Sequence, residues 1–291
     1  MVDPVIAADG ITYEKTAAVE WLKDHDTSPI NPGMKISVDV LIENIVLRNQ
    51  IEDFVASPEC PEDMKEEYEE KKNRGKKLFK EGKVLEAANL GYLEAMGKMA
   101  MNYGLGEGGF NVDKDKAFEF ATKAANAGDK GGQFQLARCY HLVIGVQQDN
   151  AAALTWYQRC IEKGCGLGAV NNNMGNIYEI GGHGVEKNFD KAAEYFRIAA
   201  DLGDDYAQCN LAGMYFDGVG VEQSFTEARK WYKLSADQND ADAQLRLGQM
   251  MMQGKGGEKC FSQGIALIEE SAKQGNAKAM EWMKQVSEIN V

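Results

Sequence analysis

A pattern that returns every 36 residues governs what this chain can fold into. Ala207, Leu211, Tyr215, Gly218, Gly220, Ala228, Trp231 and Ala236 are answered, each 36 positions on, by Ala243, Leu247, Met251, Gly254, Gly256, Gly264, Leu267 and Ala272. So many matches at one offset mark a tandem array of a single supersecondary unit. The unit recurs upstream with small slips, as Met174, Tyr178, Gly184, Ala192, Tyr195 and Gly203, as Leu136, Tyr140, Ala153, Trp156 and Gly164, and as Met99, Tyr103, Ala117, Phe120 and Gly128. About five copies therefore run from Ala95 to residue 291.

Within a copy, Ala207, Leu211 and Tyr215 are four residues apart and share one face of a first helix. Gly218-Val219-Gly220 ends it with residues that tolerate positive φ. Ala228, Trp231, Tyr232, Ser235 and Ala236 then stripe a second helix. A lone hairpin with one apolar stripe can bury it only against a neighbour, so the copies must stack as an α/α solenoid. The spacing and the pattern A-x-x-x-L-[AG]-x-x-Y-x-x-G-x-G followed by A-x-x-W-Y-x-x-[SA]-A resemble Sel1-like repeats, relatives of the tetratricopeptide family, over about two thirds of the chain.

Composition narrows the function. With 44% hydrophobic and 26% charged residues the chain is an ordinary globular sequence, without the bias that marks bulk disorder. A net charge of −13 repels phosphate backbones and anionic lipid, which argues against nucleic acid or membrane and leaves proteins as partners. No apolar run approaches the roughly 20 residues of a membrane span, and Met1-Val2-Asp3-Pro4 lacks a basic-then-apolar leader, so the sequence predicts a cytoplasmic or nuclear protein. Cys60, Cys139, Cys160, Cys165, Cys209 and Cys260 include no C-x-x-C pair and read as reduced thiols, most near the helical stripes. No constellation for a cofactor or a metal is present, and Met250-Met251-Met252 reads as adaptable packing.

Residues 1–57 follow a different pattern. Val5-Ile6-Ala7 and Ile11-Thr12-Tyr13 flank Ala8-Asp9-Gly10, which predicts a β-hairpin. A helix follows from about Glu14, with Ala17, Ala18, Trp21 and Leu22 inward, and stops before Thr27-Ser28-Pro29. Asn44 caps a second helix carrying Leu47, Ile51, Phe54 and Val55. In order and spacing, Asp3-Pro4-Val5, Asp9-Gly10, Thr12-Tyr13-Glu14, Trp21-Leu22, Ser28-Pro29, Leu41-Ile42 with Asn44, and Leu47-Arg48 resemble a U-box, a small α+β domain of RING-like shape without zinc. The segment has no cysteine and one histidine, His25, so the tetrahedral zinc sites of a RING cannot be assembled from it.

The resemblance implies a ubiquitin-protein ligase that binds a ubiquitin-conjugating enzyme and contributes no nucleophile of its own. Trp21, Leu22, Pro29 and Lys35 match the positions that would meet the conjugating enzyme and its ubiquitin, although Trp21 and Leu22 suit the core of so small a domain equally well. Family members carry a C-P-I segment ahead of Asp-Pro-Val, whereas Met1 stands two residues before Asp3 here, so the resemblance implies a U-box without its first loop.

Ser57-Pro58-Glu59-Cys60-Pro61 punctuates a boundary, and residues 58–94 read as linker and capping helices. Acidic residues lead from Glu62 and basic residues trail to Lys77, the order a helix dipole favours. In the repeats, Gln133, Asn171, Gln208 and Gln244 share one place in four copies. Such a row has two readings: a ladder that bonds the backbone of a bound peptide, or buried amides that satisfy turns between repeats, the latter being the commoner fate of such groups.

Two functions fit. In one, the U-box recruits the conjugating enzyme while the repeats recruit a protein substrate. In the other, the chain is a non-catalytic adaptor whose repeats gather scaffold partners and whose degenerate U-box serves packing or homodimerisation.

Overall fold

The computed structural model describes residues 4–6, 12–14, 55 and 62–289. The chain divides into two compact units, residues 1–163 and 164–291. The first contains strands β1 (Pro4–Ile6) and β2 (Thr12–Glu14) and helices α1 (Glu62–Lys80), α2 (Val84–Asn89), α3 (Leu93–Leu105), α4 (Lys114–Asn126), α5 (Lys130–Leu142) and α6 (Asn150–Glu162). The second contains α7 (Leu167–Ile180), α8 (Phe189–Asp201), α9 (Asp205–Asp217), α10 (Phe225–Asp237), α11 (Ala241–Gln253), α12 (Phe261–Lys273) and α13 (Ala277–Ile289). The architecture is mainly α, and each copy of the repeat is a helical hairpin.

Periodicity alone would carry one stack from Ala95 to the end, yet the division falls inside the array, at Gly164. The sequence there departs from the repeat. Where Asp129, Asp204 and Asp240 cap the first helix of other copies, α7 begins after Gly166, which has a φ of 35° and offers no side chain to cap it.

Elsewhere the helix ends are written into the sequence. Asp113, Asp129, Asp149, Asn188, Asp204, Ser224 and Asp240 each accept a hydrogen bond from the backbone N–H three residues on, at 2.6 to 3.3 Å. Each such cap is worth about 1 kcal/mol, because it satisfies an N–H that the helix itself leaves orphaned. Gly106, Gly218 and Gly254 terminate α3, α9 and α11 in the left-handed conformation. In α1 the acidic Glu62 and Asp63 open the helix and Lys77 and Lys80 close it, as the charge order predicts.

The core is built from small side chains set between large ones. In the second unit Ala192, Ala199, Ala207, Ala212, Ala228 and Ala243 are fully buried beside Phe196, Leu211, Trp231, Tyr232, Leu247 and Met250. Alanine columns let helices approach closely while the aromatic rings fill the space between hairpins. Tyr178 of α7 stacks on Tyr195 of α8 with ring centroids 5.5 Å apart, and in the first unit Tyr103 stacks on Phe120 at 6.0 Å. Met250 is buried, and Met251 and Met252 pack partly buried against the core, so the methionine run is packing.

The G-x-G turn does more than stop a helix. The second glycines, Gly220 and Gly256, have φ of 67° and 70°, and a Cβ on either would collide with the carbonyl of Phe189 or Phe225, the first residue of the second helix one repeat earlier. Each turn is thus seated directly on backbone. Gly203 also has a positive φ, 91°, but faces open space.

Gly203→Ala is therefore expected to cost about 1 kcal/mol of conformational strain, and Gly256→Ala at least twice that, because the strain is compounded by a backbone collision. Urea unfolding of the two variants measures the difference, and equal losses would contradict the seating of the turn.

Candidate functional site

Two regions hold the residues to which the sequence assigns function. In the first, β1 pairs antiparallel with β2, Val5 opposite Tyr13 and Ile6 opposite Thr12, and the expected Asp9-Gly10 turn lies outside the described residues. The strands lie one residue outside the predicted ones at their outer ends, a shift that retains the hairpin. Trp21, Leu22, Pro29 and Lys35, like the two helices expected around them, lie outside the described residues.

The second region is the row of amides. Gln133, Asn171, Gln208 and Gln244 sit on the first helices of their copies, and each is at most 5% exposed. The Gln208 amide nitrogen donates to the Ala200 carbonyl at 3.2 Å, and its oxygen accepts from Gln238 at 2.9 Å. Gln244 accepts from Gln274 at 2.8 Å, after the second helix of the same copy, and Asn171 donates to the Leu167 carbonyl at 2.6 Å. The Gln208 and Gln244 bonds join a first helix to the end of the helix before it or to the residue that closes its own hairpin. Gln208 and Gln244 are thus enclosed and bonded within the array, which agrees with the structural reading for those two, whereas Asn171 bonds within its own helix and the buried Gln133 side-chain oxygen has no hydrogen-bond partner among the described residues.

A further polar row went unrecognised in the sequence. Cys160, Ser235 and Ser271 are all fully buried on the second helices of their copies, and each donates to the carbonyl 30 residues earlier, of Lys130, Asp205 and Ala241, at 2.6 to 3.4 Å. Each bond ties the second helix back to the start of the first. The signal was present as a small donor at a constant place in the 36-residue register, hidden by Ala124 and Ala199 at the same place in other copies.

Open clefts lie apart from these rows. The first unit has a cavity of 660 Å³ lined by Lys71, Tyr103, Lys116, Phe120 and Lys123. Two of its three lysines are paired locally, Lys116 with the capping Asp113 at 3.2 Å and Lys123 with Glu119 of its own helix at 2.8 Å. In the second unit, cavities of 400 and 330 Å³ share Gly213, Asp217, Tyr232 and Arg246. Burial pushes the Tyr232 phenol and the Cys209 thiol well above their ordinary pKa, with Asp240 and Asp242 adding to the effect on Cys209, so both are neutral at physiological pH. Among the described residues, no cluster of His, Cys, Asp and Glu could hold a metal ion, no cysteine forms a disulfide, and no helix is long and apolar enough to cross a membrane.

Comparison with known proteins follows the same partition. A U-box domain model matches residues 1–59, and the Sel1 repeat model matches 93–129, 131–165, 169–204, 205–240 and 241–276. Over 108 residues the chain is 30% identical to the ERAD-associated E3 ubiquitin-protein ligase component HRD3B of Arabidopsis thaliana, an alignment covering 36% of this chain and 16% of that protein. Over 56 residues it is 46% identical to U-box domain-containing protein 33 of the same plant, covering 19% of this chain and 7% of that protein. The chain thus spans less than a fifth of the length of either relative. The crystal structure of a Sel1 repeat protein from Oxalobacter formigenes superposes with a TM-score of 0.61 and 26% identity over 72% of this chain and 85% of that one.

If the amides are structural, Gln208→Leu should lower stability by about 1 kcal/mol. A surface ladder would leave the urea midpoint unchanged. Burial also raises the Cys139 thiol to about 12. Its thiolate fraction at neutral pH is negligible, so native protein treated with iodoacetamide should leave Cys139 unmodified by mass spectrometry, and rapid alkylation there would contradict its burial.

Proposed function

The chain belongs to the Sel1 repeat family, and from that premise, joined to the U-box match over residues 1–59, we propose that it is a ubiquitin-protein ligase of U-box type whose repeats hold the protein to be modified. The observation that carries this reading is the coexistence of the two modules in one chain. A U-box supplies affinity for a ubiquitin-conjugating enzyme, and an array of helical hairpins supplies an extended surface for a second protein. Identity to a U-box domain-containing protein over 56 residues and to a ligase component over 108 residues supports the same assignment.

Chemically the chain acts by positioning. Ubiquitin arrives on its conjugating enzyme as a thioester, and the amine of a lysine attacks it. Bringing carrier and substrate together on one scaffold restrains two reactants that would otherwise meet by diffusion, and removes that entropy before the chemical step. No cysteine of the ligase enters the reaction. Pro29 and Trp21 are assigned to the surface that meets the conjugating enzyme, with Leu22 beside them, and Lys35 to ubiquitin.

A second reading, a non-catalytic adaptor within a ligase assembly, draws on the identity to a protein named as a ligase component. One assay separates the two. Purified chain is incubated with activating enzyme, a panel of conjugating enzymes and ubiquitin. The ligase reading expects ubiquitin chains with at least one of the panel. It expects Pro29→Ala to reduce the rate by about thirtyfold, the effect of truncating a central interface anchor of about 2 kcal/mol. Replacing the six cysteines by serine in a folded variant should leave transfer intact. No chains with any conjugating enzyme would remove the ligase reading and leave the adaptor.

A further inference from the structure

The fourth repeat departs from its neighbours at two positions that meet in space. At Tyr232 the adjoining copies have Phe196 and Ile268, both fully buried. At Gly213, on the preceding helix α9, they have Asn176 and Gln249. The two departures are coupled: a Cβ at 213 would stand 3.5 Å from the Tyr232 hydroxyl, so the glycine leaves open the space above the phenol. Tyr232 is only 5% exposed, yet its hydroxyl has no hydrogen-bond partner among the described residues. Phenylalanine at the same place, as in the third repeat, would fill the core without that hydroxyl, which the adjoining cavities leave accessible.

That hydroxyl opens where the two cavities of the second unit meet. Arg246 lines both, is exposed, and makes no ion pair or hydrogen bond among the described residues. Around these donors the charges balance: Arg246, Lys255 and Lys278 stand against Glu179, Asp217 and Asp242. Lys255 is already turned over the rings of Phe216 and Phe225, at 4.7 and 5.2 Å. Three carboxylates disfavour a bare anion such as phosphate, and three cations disfavour a bare cation. A neutral strip that alternates donors and acceptors is the complement, and that is the character of polypeptide main chain, one N–H and one C=O per residue. The cavities, at 400 and 330 Å³, are of the size that holds a ligand segment, and Met214, Phe216 and Met250 give its side chains apolar contact.

We propose that the fourth repeat carries a main-chain binding site, in which the Tyr232 hydroxyl and the Arg246 guanidinium donate to carbonyls of an extended segment of the partner protein while Asp217 accepts one of its N–H groups. The proposal rests on the reading of the repeats as the partner-binding module and locates the contact. It also moves recognition from the amide row to three residues, Asp217 on α9, Tyr232 on α10 and Arg246 on α11.

The test uses the full chain and a phage-displayed library of short random peptides, from which recovered sequences are synthesised and titrated by fluorescence anisotropy. Recovered peptides should bind in the micromolar range. Tyr232→Phe, which removes one oxygen and installs the residue found at 196, should weaken them about tenfold without lowering Tm. Gly213→Gln, the residue of the fifth repeat, should cover the hydroxyl and abolish binding, and inorganic phosphate should not compete. Failure to recover peptides, equal affinity for the Tyr232→Phe and Gly213→Gln variants and the parent chain, or competition by phosphate would each overturn the site. Self-ubiquitination of the same preparation is scored separately. Peptide binding without transfer upholds the site and removes the ligase reading, whereas transfer without peptide binding removes the site alone.

Discussion

The close approach of helices over small side chains is the constraint on which the rest depends. Alanines buried to zero exposure recur on both helices of a copy, and at the turn even a methyl group is too large, because Gly220 and Gly256 lie against the carbonyls of Phe189 and Phe225. Hairpins that pack this tightly have a fixed spacing. A fixed spacing gives every position in the 36-residue register a constant environment, and the same backbone carbonyl can then meet the same kind of side chain in copy after copy.

That regularity explains why polar groups can be buried here at all. Ser235 and Ser271 find their carbonyls 30 residues back, Gln208 and Gln244 find the amides of Gln238 and Gln274, and each bond removes a desolvation cost that the apolar core could not offset. The rows hold register between helices that are otherwise joined by smooth alanine surfaces. A repeat that breaks the rule then stands out. Tyr232 places a hydroxyl where the adjoining copies have apolar side chains, and the glycine above it keeps that hydroxyl accessible.

The division of labour proposed for the chain follows from what each module can and cannot bury. Fewer than 60 residues form a small core, so a domain of that size works as a docking surface more readily than as an enclosed active site. The repeats bury their cores completely and present surface in excess. Ligation that proceeds by bringing two proteins together needs two such surfaces and no nucleophile.

Helix periodicity and the glycine breaks were legible in the sequence, because they are local: spacing of 3 and 4 and tolerance of positive φ act within one turn. The five copies could be read for that reason, as could the pairing of β1 with β2 within its one-residue shift. What the amides of Gln208 and Gln244 do was not legible, since one sequence pattern suits a ladder facing solvent or a lock facing inward. Only the packing of one hairpin on the next decides which side is closed. Nor could sequence pair Gly213 with Tyr232 or the Ser235 hydroxyl with Asp205, because such partners meet across helices whose approach is set by the whole stack. Local chemistry determined the elements, and the summed contacts of neighbouring repeats decided which of their polar groups are used up inside and which are left open.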